Sequence, residues 1–346
     1  MNDRSPNSGK SLERLGHSYQ HTGFGAEVSQ ARTNPEAVRA GISYVLSMWH
    51  DGHWADCNLS SGESDVWVTA YVAARLGELP SEYLSFAARQ KTEDSLDWLL
   101  KNRNSNGGWG FTSKSASDAD SSAWAMLALR RHGRAIPAES YEFICRCRRP
   151  DGGFALHSEN GLPGQANNFS APDVTAVAMN AAGGPDAAGV NFLANCWLQT
   201  SRPLPPVRLV SRFYTCSAVL DWDTEKVPWP LMNKICELMS FYDAESAFEQ
   251  ALLLRCLGQL RIQKAWSVAA GLRRIQEADG GWPASAVVLT EPSQASESHA
   301  VPGLDHKRIL TTMTSVSALA HVSAQQGLYF GSDRPLPQRL TLESFK

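Results

Sequence analysis

The chain has 346 residues, 43% of them hydrophobic, and its 32 Lys plus Arg nearly balance 35 Asp plus Glu for a net charge of −3. No basic run offers the phosphate contacts that nucleic acid demands, and no apolar stretch reaches the roughly 20 residues that cross a bilayer. Met1 to Gly16 lacks the apolar core of a secretory leader, so a cytoplasmic protein without a transmembrane segment is expected.

Residues 1–35 are rich in Ser, Asn, Gly and Gln and read as an arm, partly disordered. Pro35 suits the first turn of a helix covering about 36–50. There follows a glycine turn closed by an aromatic, Asp51-Gly52-His53-Trp54, and then a helical run from Asp65 to Leu76. The same grammar recurs. An outer helix over 92–103 leads to Asn106-Gly107-Gly108-Trp109-Gly110-Phe111 and an inner helix from 118, with acidic and hydroxyl residues at its start. Another outer helix over 138–148 leads to Asp151-Gly152-Gly153-Phe154 and an inner helix from 172. Two pairs without the turn follow, 187–199 with a helix from 211 and 230–240 with one from 245. The last outer helix, 264–277, ends in Asp279-Gly280-Gly281-Trp282, and its inner partner starts near 308. The turn aromatics are spaced by 55 residues (Trp54 to Trp109), 45 (to Phe154) and 128 (to Trp282), the last being about three intervals of roughly 43. Six helix pairs in one continuous ring or solenoid follow.

Proline-rich breaks at Pro203-Leu204-Pro205-Pro206 and Pro335-Leu336-Pro337 read as loop and tail. The Gly/Ser/Glu-rich stretch from Ala284 to Asp305 is a loop long enough to be functional or mobile. The organisation is thus an arm (1–35), a ring (36–325) and a tail (326–346). The seven cysteines sit mostly in apolar helical text and read as reduced core residues. Cys145-Arg146-Cys147 alone is too little for a zinc site, and no metal or other cofactor is expected.

A helix running through Gln276 into Gly280-Gly281-Trp282 resembles the Gln-Trp repeats of squalene–hopene cyclases and their relatives, and the resemblance covers about residues 36 to 325. It implies an all-α fold, an (α/α)6 toroid of six concentric helix pairs. Asp118-Ala119-Asp120-Ser121-Ser122-Ala123 resembles the Asp-x-Asp-Asp-Thr-Ala segment of class II terpene cyclases. By that resemblance Asp120 is the proton donor that starts cyclisation of a polyene or terpenoid chain, and Ser121 departs from the family's second Asp. The enzyme implied is a metal-independent cyclase, an isomerase of natural-product biosynthesis with a hydrophobic small-molecule substrate.

Protonating a carbon–carbon double bond requires a carboxyl kept neutral in a dry cavity and aromatic faces to shelter the cation. Asp118, two residues away, can share a proton with Asp120. Trp124 lies one turn beyond Asp120 on the same helix face, and Trp67 and Tyr214 begin other inner helices that share the mouth. A structural reading stands beside this one. An Asp at a helix start caps free N–H groups, and Asp65 and Asp173 sit at similar starts, either as caps or as further groups facing substrate. Trp54, Trp109 and Trp282 fall in the repeat turns and read as packing between repeats. His157, His299 and His306 lie in loops near the mouth.

The chain has no Asp-Asp-x-x-Asp segment for magnesium diphosphate chemistry. The region Arg212-Phe213-Tyr214-Thr215-Cys216 lacks the Asp-x-Cys of zinc prenyltransferases. The cyclase family normally closes its cavity between two helical domains, and this chain has length for one. The arm, the 284–305 loop or a second subunit is left to close it. The alternative function is a non-catalytic toroid that binds a hydrophobic ligand or a protein partner.

Overall fold

A computed structural model describes residues 32–59, 62–158, 169–198, 209–222, 227–241, 243–290 and 301–330. Among the described residues twelve α-helices alternate between two layers. The outer ones are α1 (Asn34–Ser47), α3 (Phe86–Lys101), α5 (Ala138–Arg146), α7 (Ala187–Leu198), α9 (Trp229–Phe241) and α11 (Ala265–Arg274). The inner ones are α2 (Val66–Leu76), α4 (Ala119–Arg131), α6 (Pro172–Ala181), α8 (Arg212–Leu220), α10 (Ala247–Gln259) and α12 (Ile309–Phe330). Each inner helix packs on the next, and α12 returns to α2 and closes the ring. The fold is the expected (α/α)6 toroid.

The two layers follow from two kinds of sequence. In α2 every residue from Val66 to Leu76 is buried, and in α4 every residue from Ala119 to Leu129. A helix so surrounded has no polar face to show to water. Outer α3 instead buries one stripe, Ala88, Thr92, Ser95, Leu96 and Leu99, at helical spacing.

The turn aromatics join the layers. The indole N–H of Trp54, Trp109 and Trp282 donates to the carbonyl of Val45, Leu99 and Leu272 near the end of the preceding outer helix, at 2.8, 2.7 and 2.8 Å. Their backbone N–H groups donate to the hydroxyls of Thr69, Ser122 and Thr312 in the inner helix that follows, at 2.9, 2.8 and 3.1 Å. Phe154, which has no indole, keeps the backbone half of the device through Thr175 at 2.8 Å. All three tryptophans are fully buried, and with both N–H groups spent on the two layers they staple the repeats. The turn glycines make room for this. Gly107 sits at φ +92° and Gly280 at φ +93°, and a Cβ on either would strike the backbone carbonyl of Glu139 in α5 or of Ala40 in α1.

Three departures from the sequence reading have local causes. The stretch 284–305 is not wholly loop. Its ends pair as antiparallel strands β5 (Ala286–Thr290) and β6 (Val301–Leu304), as the β-branched run Val287-Val288 favours. Two shorter hairpins, β1 (Asp56–Leu59) with β2 (Gly62–Ser64) and β3 (Trp109–Gly110) with β4 (Ser117–Asp118), likewise lead into inner helices. Helix α3 starts earlier than expected because Ser85 caps it, its hydroxyl accepting from the Ala88 N–H. The arm up to residue 31, Pro203 to Pro206, His299 and the tail from 331 lie outside the described residues.

Candidate active site

The β3–β4 hairpin pairs Trp109 with Asp118 and so delivers Asp118 to the start of α4. Asp118 is the cap: its Oδ1 accepts from the Ser121 N–H at 2.7 Å and its Oδ2 from the Ser121 hydroxyl at 2.8 Å. Ser121, which stands where the resembled family has a second Asp, is therefore the partner of the capping group. With capping assigned to Asp118, Asp120 lies within the first turn, 4% exposed. The hydroxyl of Tyr214, across the ring on α8, donates to Asp120 Oδ1 at 3.4 Å and accepts from Trp124 Nε1 at 2.6 Å. Burial, and next the charge of Asp120, push the Tyr214 phenol well above its ordinary pKa of 10. The hydroxyl therefore stays a donor.

The inner helices can be aligned by their caps, Asp65, Asp118, Ala171, Ser211 and Ser246. The second helical position is then Trp67, Asp120, Asp173, Phe213 and Phe248, with Leu310 in α12, and all six are buried. Two carboxyls thus interrupt an otherwise apolar tier at the N-terminal end of the ring. Asp65 occupies the cap position instead, and Ser113 engages both its oxygens, through its N–H at 2.7 Å and its hydroxyl at 2.6 Å.

Trp67 also opens an aromatic tier that continues below. Trp67 stacks on Phe111 with centroids 5.9 Å apart and lies 6.0 Å from Tyr71. Tyr71 is 4.6 Å from Trp124, which is 6.4 Å from Tyr214. The Tyr71 hydroxyl is fixed by Thr314 Oγ1 of α12 at 2.7 Å. The structure thus brings Asp118, Asp120, Trp124, Tyr214 and Trp67 to one end of the ring. His157 lies against the same hairpin, with its Nδ1 3.2 Å from the Ser117 carbonyl, and His306 is exposed. Cys147 is buried and its thiol is pushed up to about 12, chiefly by burial, whereas Cys145 is exposed. Among the described residues no group of three or more His, Cys, Asp and Glu is placed to hold a metal.

Sequence reasoning missed the other end of the ring. The Arg75 guanidinium lies over the rings of Tyr71 and Trp124, at 5.1 and 4.8 Å from their centroids. It also pairs with Glu78 at 2.8 Å and Asp221 at 3.1 Å. Arg255 of α10 meets the same two acids at 2.9 and 2.6 Å, and Arg131 reaches Glu78 at 2.6 Å. The signal was present: Arg75 and Arg255 are the charges inside the apolar runs Ala73-Ala74-Arg75-Leu76 and Leu253-Leu254-Arg255-Cys256. A guanidinium in such a run must find an anion.

No family model matches the chain. Over 100 residues it is 32% identical to drimenyl diphosphate synthase of Streptantibioticus cattleyicolor, a stretch covering 28% of this chain and only 19% of that protein's length. Among solved structures, a protein from Actinoplanes superposes with a TM-score of 0.71 at 25% identity, over 84% of this chain and 99% of its own. The type II terpene cyclase MstE from Scytonema superposes with a TM-score of 0.71 at 18% identity, over 84% of this chain and 98% of its own. Variants of MstE have been solved with geranylgeranyl dihydroxybenzoate as substrate and with merosterolic acid A as product. A ring of this size therefore accounts for nearly all of that cyclase. No helix among the described residues is long and apolar enough to cross a membrane. The chain is thus an (α/α)6 toroid, similar in fold to the type II terpene cyclase MstE.

Proposed function

We propose that the chain is a cytoplasmic, metal-independent cyclase that folds a polyene or terpenoid chain into rings by proton transfer from Asp120. The observation that carries this is the buried line Trp124 to Tyr214 to Asp120, at the tier where Asp118 already does the capping. Tyr214 donates to Oδ1, so the acidic proton of the neutral carboxyl resides on Oδ2 and passes to the terminal alkene carbon. The carboxylate left behind keeps the Tyr214 hydrogen bond and gains from the positive end of α4. The cation formed lies against the faces of Trp67, Tyr71 and Trp124, and a final proton loss returns a neutral isomer. Asp173, at the equivalent position of α6, borders the same tier and is assigned to substrate contact. Asp65 borders it as well, through its tie to Ser113.

In this reading the ring expected over 36–325, which α1 and α12 extend to Asn34 and Phe330, is the catalytic unit between an arm and a tail, and a second subunit shields the mouth from water. The MstE complexes support a prenylated substrate class. The deciding experiment is mass spectrometry after incubation in D2O with squalene, farnesyl and geranylgeranyl compounds and prenylated aromatics, with Asp120→Asn alongside and EDTA in a third arm. The reading expects an isomeric product carrying one deuterium, indifferent to EDTA and lost in the variant. Turnover that survives Asp120→Asn removes Asp120 as donor. Failure of every substrate, with a lipid co-purifying, favours the binding toroid.

A further inference from the structure

The C-terminal ends of the inner helices hold a pocket of about 370 Å³, lined among others by Glu78, Arg131, Asp221, Arg255, Gln259 and His321. Arg131 is 11 residues beyond Asp120 on α4, about 16 Å along the helix axis, with the aromatic tier between. The pocket is therefore not the site assigned to Asp120.

Among the described residues its charges do not balance. Arg75, Arg131 and Arg255 bring three positive charges to two carboxylates, Glu78 and Asp221, and all five side chains are less than a fifth exposed. Burial pushes both carboxyls up. Arg131, Arg255 and Arg75 overcome it, holding Glu78 down to about 2 and Asp221 well below the usual carboxylate range. His321 is held below its ordinary value first by burial and then by Arg255, against Asp221 and Glu78. Unsatisfied groups are present as well. Arg75 Nε is a buried donor without an acceptor, and Gln259 Oε1 a buried acceptor without a donor, among the described residues. A buried guanidinium in excess of its partners is costly, and two of the three, Arg131 and Arg255, line the cavity, with Arg75 behind them.

We propose that this mouth binds a small oxyanion, held by Arg131 and Arg255 as the third negative charge. Gln259 Oε1 can accept from a ligand O–H, so hydrogen phosphate fits better than a plain carboxylate. The ligand's source is either a free anion or the head of a phosphorylated substrate.

The test is isothermal titration of the full chain with inorganic phosphate, pyrophosphate and acetate at fixed ionic strength. The His321 ring resonances are followed against pH in parallel. The proposal expects one saturable phosphate site, at least tenfold weaker acetate, and an upward shift of the His321 midpoint when phosphate is bound. Arg131→Gln, which leaves two arginines for two acids, should weaken binding at least tenfold. Ala324→Trp, at an exposed position lining the pocket, should block it even if Arg131→Gln does not fold. No heat and an unmoved His321 would overturn the proposal, and the helix C-termini would then supply the missing negative charge. Binding that survives both variants overturns it equally. Where binding holds, pyrophosphate that also inhibits turnover identifies the source as a substrate head group, and pyrophosphate that binds without inhibiting identifies a free anion.

Discussion

Replacing Tyr214 by Phe removes one oxygen and leaves the ring in place. That oxygen is the acceptor for Trp124 Nε1 at 2.6 Å and the donor to Asp120 Oδ1 at 3.4 Å, and the three residues are 2%, 1% and 4% exposed. Stranding a buried indole N–H costs about 1–3 kcal/mol. The longer bond to Asp120 contributes less, so a loss of about 2 kcal/mol is expected from urea unfolding. In Trp124→Phe the stranded donor no longer exists. The pair Trp124→Phe with Tyr214→Phe should therefore cost less than the sum of its members, by about 1 kcal/mol or more. Deuterium incorporation should slow roughly 10- to 100-fold in Tyr214→Phe, as the carboxylate loses a hydrogen bond made when it becomes charged. Stability unchanged to within about 0.3 kcal/mol, with no coupling in the double variant, would refute the line from Trp124 to Asp120 and the donor assignment built on it.

Other consequences are separable. Gly107→Ala should destabilise by more than about 2 kcal/mol, because strain at positive φ adds to a collision with the Glu139 backbone. Gly133→Ala, at φ +68° but with nothing nearby, should cost only about 1 kcal/mol, and paired melts compare the two. Trp282→Phe deletes the bond to the Leu272 carbonyl and part of a buried ring, and about 2–4 kcal/mol should be lost in denaturant titration. Burial first, with Asp56 adding, raises Asp305 from 3.8 to about 7 over the hydrogen bonds from Ser285 and Thr311. Its folded form holds a proton that the unfolded form releases. Its contribution to stability is therefore full below pH 3.8 and declines as pH rises through about 7. Asp305→Asn should flatten that slope in melts across pH 4–8. Glu78, lowered from 4.5 to about 2, has the opposite sign: its contribution is present above pH 4.5 and lost as pH falls towards 2.

Most of the ring was legible in the chain, because its period is written in turns that physics restricts. Gly107 and Gly280 must be glycine beside a neighbouring backbone, and Trp109 and Trp282 must bring an indole N–H to the outer helix. The starts of α4 and α6 could be read for similar reasons. What could not be read depends on distance in sequence. Which of two neighbouring aspartates caps α4 is decided by the β3–β4 hairpin, and Tyr214 reaches Asp120 across 94 positions. The cluster of Arg75, Glu78, Asp221 and Arg255 draws on three helix ends that meet only once the ring closes. The strands β5 and β6 were masked by a composition that reads as loop over the whole of 284–305.

The return of α12 to α2, with the Gly280 turn seated on Ala40 of α1, also governs how the protein comes apart. An open array of repeats loosens from its terminal units, each held by one interface. In a closed circle every inner helix is held on two sides, so no unit is positioned to fray first. Removing one helix pair would leave a gap that its neighbours cannot span. Such a molecule is expected to melt as a single cooperative body, and to need its last helix before its first is secure.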